Sequence, residues 1–290
     1  LIRLPLNEKA LIRRIRQRAG HKSGLLGIGD DCACIRIPQN HEVLVTTDFS
    51  LEDVHFRRDI QPAKSIGHRC LLRGLSDIAA MGGEPRAIFL SLAIPPRTPQ
   101  RWINEFFNGL LDLAKEFKTL LAGGDTSQSP TGKILADIVV LGSVPKGKEL
   151  LRSGARPGDR IFVTGSLGGH AATLKVLLQS RKNKIAGCDL EEYFYPEVRL
   201  EVGRILREKR LATSMVDISD GLSTDLNHIC EESAVGAEID AEAIPLARIG
   251  KFGEEVDIEM ALHGGEDYEL LFTAPPDAHV PGRISNVPIT

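Results

Sequence analysis

Five short clusters carry carboxylates where apolar runs give way to turns: GIGDDCA at 27–33, VTTD at 45–48, LSDIAAMG at 75–82, LAGGDTSQSP at 121–130 and VDISDGLSTDL at 216–226. Each puts one or two acids beside glycine or hydroxyl residues, at a strand end, a turn or a helix start. The runs between them alternate in period. EVLVTTD (42–48) reads as a strand ending in a carboxylate, and AIFLSLAI (87–94) as a strand stopped by Pro95 and Pro96. Between these, residues 63–81 read as a helix with Ile66, Cys70, Leu71 and Ile78 facing inward. Over 99–118 the residues Ile103, Phe106, Phe107, Leu110, Ala114 and Phe117 follow a 3.6-residue period, with Pro99 suited to the first turn. TLLAGGD and ILADIVVLG follow as strands.

At about 143–160 the chain turns polar and rich in Gly and Pro, which suits a linker between domains. The expected division is 1–145 and 146–290. RIFVTG opens the second half, with helices near 168–180, 197–209 and 221–232 and short strands at GAEID and YELLFT. Residues 275–290 show no strong pattern. At the other end, Asn7 is placed to cap a helix running to about Ala19, with Leu11, Ile15 and Ala19 on one stripe.

Composition narrows the function classes. The chain has 290 residues, 42% of them hydrophobic, enough for two cores. Net charge is −3, which does not point to nucleic acid. No apolar run approaches the ~20 residues of a membrane span, and no secretory signal is visible. The chain begins at Leu1 and not Met, so a few preceding residues are expected. The five cysteines, an odd number without zinc spacing, fit a reducing cytoplasm. Cys32 and Cys34 alternate as strand residues do.

Carboxylates brought together repel, and some rise in pKa unless a cation neutralises them. Oxygen-only clusters suit hard cations, and Mg²⁺ combines a few carboxylates with water and phosphate oxygens. Adjacent glycines let a backbone approach a phosphate. Each acid taken alone has a plainer reading: Asp30, Asp31 or Asp125 in an Asx-turn, Asp220 in a turn or as a helix N-cap, Asp77 on a helix surface. Together they point to a polyvalent metal–phosphate site. No G-x-x-x-x-G-K-[ST] and no G-x-G-x-x-G occurs, and the protein-kinase motifs are absent. A nucleotide would therefore be held by metal bridging.

The ordered set GIGDDCA, VTTDFSLEDVHF, LSDIAAMGGEP, LAGGDTS, VTGSLGG, DISDGLSTDL and GGEDYELLF resembles the thiamine-monophosphate kinase family, over about residues 24–275. That family is grouped with aminoimidazole-ribonucleotide synthetase, selenophosphate synthetase and HypE. The resemblance implies an α+β, two-domain PurM-like fold: an N-terminal α/β domain whose sheet pairs in a homodimer, and a C-terminal α/β domain. It also implies direct transfer of the γ-phosphate of ATP to thiamine monophosphate, with Mg²⁺ and without a covalent enzyme intermediate. Carried over, Asp31, Thr47, Asp48, Asp77, Asp125, Asp217 and Asp220 correspond to metal ligands. Gly124, Asp125, Arg152 and Ser219 correspond to ATP contacts, and His55 and Glu266 to residues at the acceptor. From the residues alone, His55 reads as a hydrogen-bonded core histidine and Glu266 as a turn residue.

Three departures accompany the resemblance. Gly74 stands where an Asn is common, Asp53 where a Gly is common, and no counterpart of the family's C-terminal aromatic precedes Thr290. Two other readings remain. An amidine-forming relative would share the Asp clusters but lack GGEDYELLF. A non-catalytic metal- or nucleotide-binding protein would release no ADP.

Overall fold

A computed structural model describes residues 8–19, 25–28, 31–179, 190–249 and 254–290. Asn7, Asp30 and Cys188 lie outside them. The described residues divide into two compact units, residues 1–78 with 84–146, and residues 79–83 with 147–290.

The first unit contains α1 (Glu8–Ala19), β1 (Leu25–Leu26), β2 (Cys34–Ile35), β3 (His41–Leu51), most of α2 (Ala63–Ala80), β4 (Glu84–Ile94), α3 (Gln100–Glu116), β5 (Leu120–Gln128) and β6 (Leu135–Pro145). Its four-stranded sheet has the order β3-β6-β4-β5. β6 runs antiparallel to β3 and β4, while β4 and β5 are parallel, joined through α3. Parallel neighbours need such a crossover, and the 3.6-residue stripe of 99–118 supplies it. Ile103, Phe106, Phe107, Leu110 and Ala114 are buried as expected, and so are Ile66, Cys70, Leu71 and Ile78 of α2. Leu11 and Ile15 of α1 are buried too. Each fully buried Leu or Ile contributes about 1.5–3 kcal/mol. Helices α2 and α3 cross at two glycines. A Cβ on Gly67 would stand 1.8 Å from the Phe106 carbonyl oxygen, and one on Gly109 1.8 Å from that of Lys64.

Strand β3 shows clean period-2 alternation. Leu44, Thr46, Asp48 and Ser50 turn inward, while Val43, Val45, Thr47 and Phe49 are exposed on the other face. Two of the departures noted above have a structural account. Asp53 has φ 70°, a left-handed position that favours glycine and tolerates Asp, and its carboxylate pairs with Lys133. A Cβ on Gly74 would come within 2.5 Å of Val140 Cγ2, so Val140 fills that space.

The second unit contains β7 (Arg160–Val163), α4 (Gly169–Gln179), α5 (Glu191–Phe194), α6 (Leu200–Glu208), β8 (Ser214–Ile218), α7 (Leu222–Ser233), β9 (Arg248–Ile249), β10 (Glu254–Glu255), α8 (Ile258–His263), β11 (Glu269–Ala274), β12 (Arg283–Ile284) and β13 (Val287–Pro288). Its main sheet is β7-β11-β8, antiparallel throughout. All six residues of the central strand β11 are buried. Val163, Val216, Ile218, Leu222, Leu226, Ile229 and Leu271 share one core.

GAEID (236–240), expected as a strand, is irregular. Ala237 to Asp240 are exposed and have no partner strand, and Asp240 instead accepts the Glu242 amide to start a 3₁₀ turn. The patternless 275–290 segment forms the β12–β13 hairpin, and Thr290 exchanges backbone hydrogen bonds with Val163 at 2.9 and 3.0 Å.

Candidate active site

Inward-facing Asp48 of β3 lies beside Asp77 of α2. Burial pushes the Asp48 carboxyl up to about 7, and the charge of Asp77 adds to the rise; Arg73 opposes it and Asp137 reinforces it. Thr46, on the same face of β3, donates its hydroxyl to Asp77 Oδ2. Asp48 Oδ2 is buried without a protein hydrogen-bond partner. Two crowded carboxylates with an unsatisfied buried oxygen, and hydroxyl oxygen beside them, are a donor set that fits Mg²⁺. Thr47 lies on the opposite, exposed face, so the structure does not bring its side chain to Asp48 and Asp77. Thr46 was legible from the alternation: in a strand, residue i−2 shares a face with Asp48, and residue i−1 does not.

Asp31, Gly124 and Asp125 line one cavity of about 780 Å³ in the first unit, together with Arg13 and Arg16 of α1. That volume is within the range of small-molecule and cofactor sites. Gly124 has φ 141°, and a Cβ there would lie 1.9 Å from the Leu90 carbonyl oxygen. Only a glycine lets β5 run this close to β4 beside the irregularity in their pairing. His55 sits in the turn after β3, where its Nδ1 accepts the Leu51 amide at 3.0 Å. In the neutral ring the proton is then on Nε2.

In the second unit, antiparallel register sets two motifs side by side. Ile218 pairs with Glu269 and Asp217 with Leu270, so the DISDG turn after β8 adjoins the GGEDY turn before β11. The Glu266 amide donates to the Ser219 carbonyl at 2.8 Å. Asp217 is buried on β8, and Asp220 is exposed. The ligand atoms of Asp220, Asp225 and His228 lie within 4.8 Å of one another. The sequence motif alone does not single out Asp225 and His228, although their i, i+3 spacing puts them on one helix face. Burial pushes the Asp225 carboxyl up; amide hydrogen bonds from Asp220 and Ser219 oppose this, and the charge of Asp220 adds to it.

The acids of GGEDYELLF have separate tasks. Glu266, at φ 74°, accepts the Tyr268 hydroxyl at 3.1 Å. Asp267 accepts the Gly168 and His170 amides at 2.7 and 3.3 Å, which occupies the N-terminus of α4. Glu269 is buried, holds Arg199 at 2.7 and 2.6 Å, and accepts the Thr164 hydroxyl. Arg152 is exposed, and its carbonyl accepts Ser233 Oγ at the C-terminal end of α7. The DISDG turn is at the other end of that 12-residue helix, about 18 Å away.

Residues 29–144 match the family described as AIR synthase related protein, N-terminal domain, and residues 156–282 match its C-terminal domain. The chain is thus a two-domain protein of the AIR synthase-related class. It is 40% identical over 275 residues to the thiamine-monophosphate kinase of Escherichia coli (strain K12), covering 92% of this chain and 82% of the relative. The crystal structure of thiamine-monophosphate kinase from Stenotrophomonas maltophilia K279a superposes with a TM-score of 0.82 at 35% identity, covering 98% of this chain and 92% of that one. A structure of AaThiL complexed with AMPPCP and TMP has a TM-score of 0.74 at 31% identity, covering 94% and 87%. The chain belongs to the thiamine-monophosphate kinase family.

Proposed function

We propose that this chain transfers the γ-phosphate of ATP to thiamine monophosphate, giving thiamine diphosphate and ADP with Mg²⁺. Family membership supplies the reaction, and AaThiL has been solved with AMPPCP, an ATP analogue, together with TMP. The observation that carries the reading in the structure is the Asp48 carboxyl beside Asp77, which burial and then the neighbouring charge push up to about 7, with a buried Oδ2 that has no protein partner. In this reading residues 1–145 bind nucleotide and metal. Asp31, Asp48, Asp77 and Asp125 would serve as metal ligands there, with Thr46 orienting Asp77 and Gly124 beside the nucleotide; Thr47, whose side chain faces away from Asp48 and Asp77, could join them only through its backbone oxygen. Residues 146–290 add Asp217 and Asp220 as ligands, Ser219 and Arg152 as ATP contacts and Glu266 at the acceptor.

The bound cation supplies charge neutralisation between two phosphate groups that otherwise repel. The acceptor oxygen of a phosphate is anionic near neutral pH, so no side chain is assigned as a general base. His55, with its proton on Nε2, is suited to donate to the acceptor phosphate. Glu266 offers negative charge to the cationic thiazolium ring. Positioning and electrostatics provide the rest of the catalysis.

We also place the protein in the cytoplasm as a homodimer. Exposed Cys32 and Cys34 are free thiols, and among the described residues no helix is long and apolar enough to cross a membrane. Strand β3 is a sheet edge, and Val43, Val45 and Phe49 are 48%, 63% and 61% exposed on one face, an apolar surface that a second copy would cover. ADP release with thiamine monophosphate, with and without Mg²⁺, tests the reaction. Release that ignores the acceptor would overturn it. Light scattering at twice the 31.6 kDa chain mass, reduced to one mass by Val45→Glu, tests the dimer.

A further inference from the structure

Asp225 lies in the first turns of α7 and is 2% exposed. Its Oδ2 accepts two successive backbone amides, those of Ser219 and Asp220, each at 3.0 Å. Successive N–H groups that converge in this way form a concavity suited to an anion. Here a carboxylate of the same chain fills it. The same turn is fixed from its other side, where the Ser219 carbonyl takes the Glu266 amide at 2.8 Å. Gly221 follows at φ 108°, and a Cβ there would lie 2.8 Å from the Leu262 carbonyl oxygen. We infer that Asp225 is a positioning residue, which aims Asp220 and Ser219 by clamping their amides through Oδ2. The inference rests on the role proposed above for Asp220 and Ser219. Physically it follows from where the hydrogen bonds go. Oδ2 of Asp225, which takes both amides, is committed to the turn, whereas the Asp220 carboxylate is exposed. Without the clamp the turn is held only through the Ile218 and Ser219 carbonyls, which take the Tyr268 and Glu266 amides, and the Asp220 carboxylate loses its fixed direction.

The test compares Asp225→Ala, Asp225→Asn and, as a control, Asp220→Asn, by steady-state ADP release and by hydrogen exchange of the 219 and 220 amides. Asp225→Ala should speed exchange at both amides. It should also lower kcat/KM for ATP·Mg²⁺ by about ten- to a hundredfold, mainly through KM, since hydrogen bonds to a charged group are lost. Asp225→Asn still offers an oxygen to the same amides, so it should keep them protected and return most of the lost activity. Parental kcat/KM in a folded Asp225→Ala protein would overturn the inference. So would an Asp225→Asn protein with protected amides but as little activity as Asp220→Asn, because the charge would then act directly as a ligand. If Asp225→Ala does not fold, the Asn variant decides by the same criterion. Full activity in Asp220→Asn would overturn the reading of the turn itself, which separates the two failures.

Discussion

Asp48→Asn should make the metal-free protein more stable at pH 8 while abolishing its response to Mg²⁺. Asp48 is pushed up to about 7 from 3.8. Between those pH values the folded state keeps a proton that the unfolded state has lost, so stability falls as pH rises through the window and the full penalty stands above it. An interval of about 3 pH units is about 4 kcal/mol at 1.36 kcal/mol per unit. Asp48 is partly open to solvent, and screening reduces this to about 1–2 kcal/mol. Asparagine keeps the shape and carries no such penalty. For a protein of this size the gain is about 2–4 °C in Tm per kcal/mol. Thermal unfolding in chelator at pH 8 should place the variant above the parent, with the gap closing toward pH 5. Added Mg²⁺ should raise Tm for the parent only. A variant less stable than the parent at pH 8 without metal would refute the assignment of Asp48 as a strained ligand.

Three further outcomes are expected. His55→Ala should lower kcat/KM for thiamine monophosphate by about ten- to a hundredfold and leave the KM for ATP unchanged; equal weakening of both substrates in steady-state assays would remove His55 from the acceptor side. Gly124→Ala, with its Cβ 1.9 Å from the Leu90 oxygen, should destabilise by about 1–3 kcal/mol or more and weaken ATP binding in calorimetry; a parental Tm would contradict the close strand approach. Glu269→Gln should lower stability in urea by about 3 kcal/mol, since it leaves the Arg199 guanidinium buried beside a neutral amide; an unchanged midpoint would show that Glu197, the other partner of Arg199 at 2.7 Å, suffices.

Elements with strong periods were legible before the structure. α3 follows its apolar stripe to within two residues, and β3 and β4 extend the expected strands. GAEID failed because alternation of Ala237 and Ile239 says nothing about whether a partner strand exists. The roles of individual acids were less legible. The VTTD motif does not reveal which threonine shares a face with Asp48 until strand alternation is applied. In GGEDYELLF the acids at 266, 267 and 269 look alike as letters. Only the register of β8 on β11 separates Glu266, at the DISDG turn, from Asp267 and Glu269, which brace the chain around 164–170 and Arg199. Asp225 was hidden for a similar reason, since reaching backward over a helix start leaves no spacing rule for distant amides.

The crossing of α2 and α3 has a consequence for how this protein tolerates change. Gly67 and Gly109 bring the two helix backbones into direct contact. Asp77 lies ten residues beyond Gly67 on the same helix, about 15 Å along its axis. Any side chain added at the crossing would push α2 along or away from its partner, and a rigid helix would carry that displacement to Asp77. A saturation scan read by growth on limiting thiamine diphosphate should therefore find Gly67 and Gly109 nearly as intolerant as the acids, although neither can touch a substrate. Changes at exposed positions of the same helices should pass unnoticed. Such a map would show the placement of one carboxylate being guarded by two residues with no side chain at all.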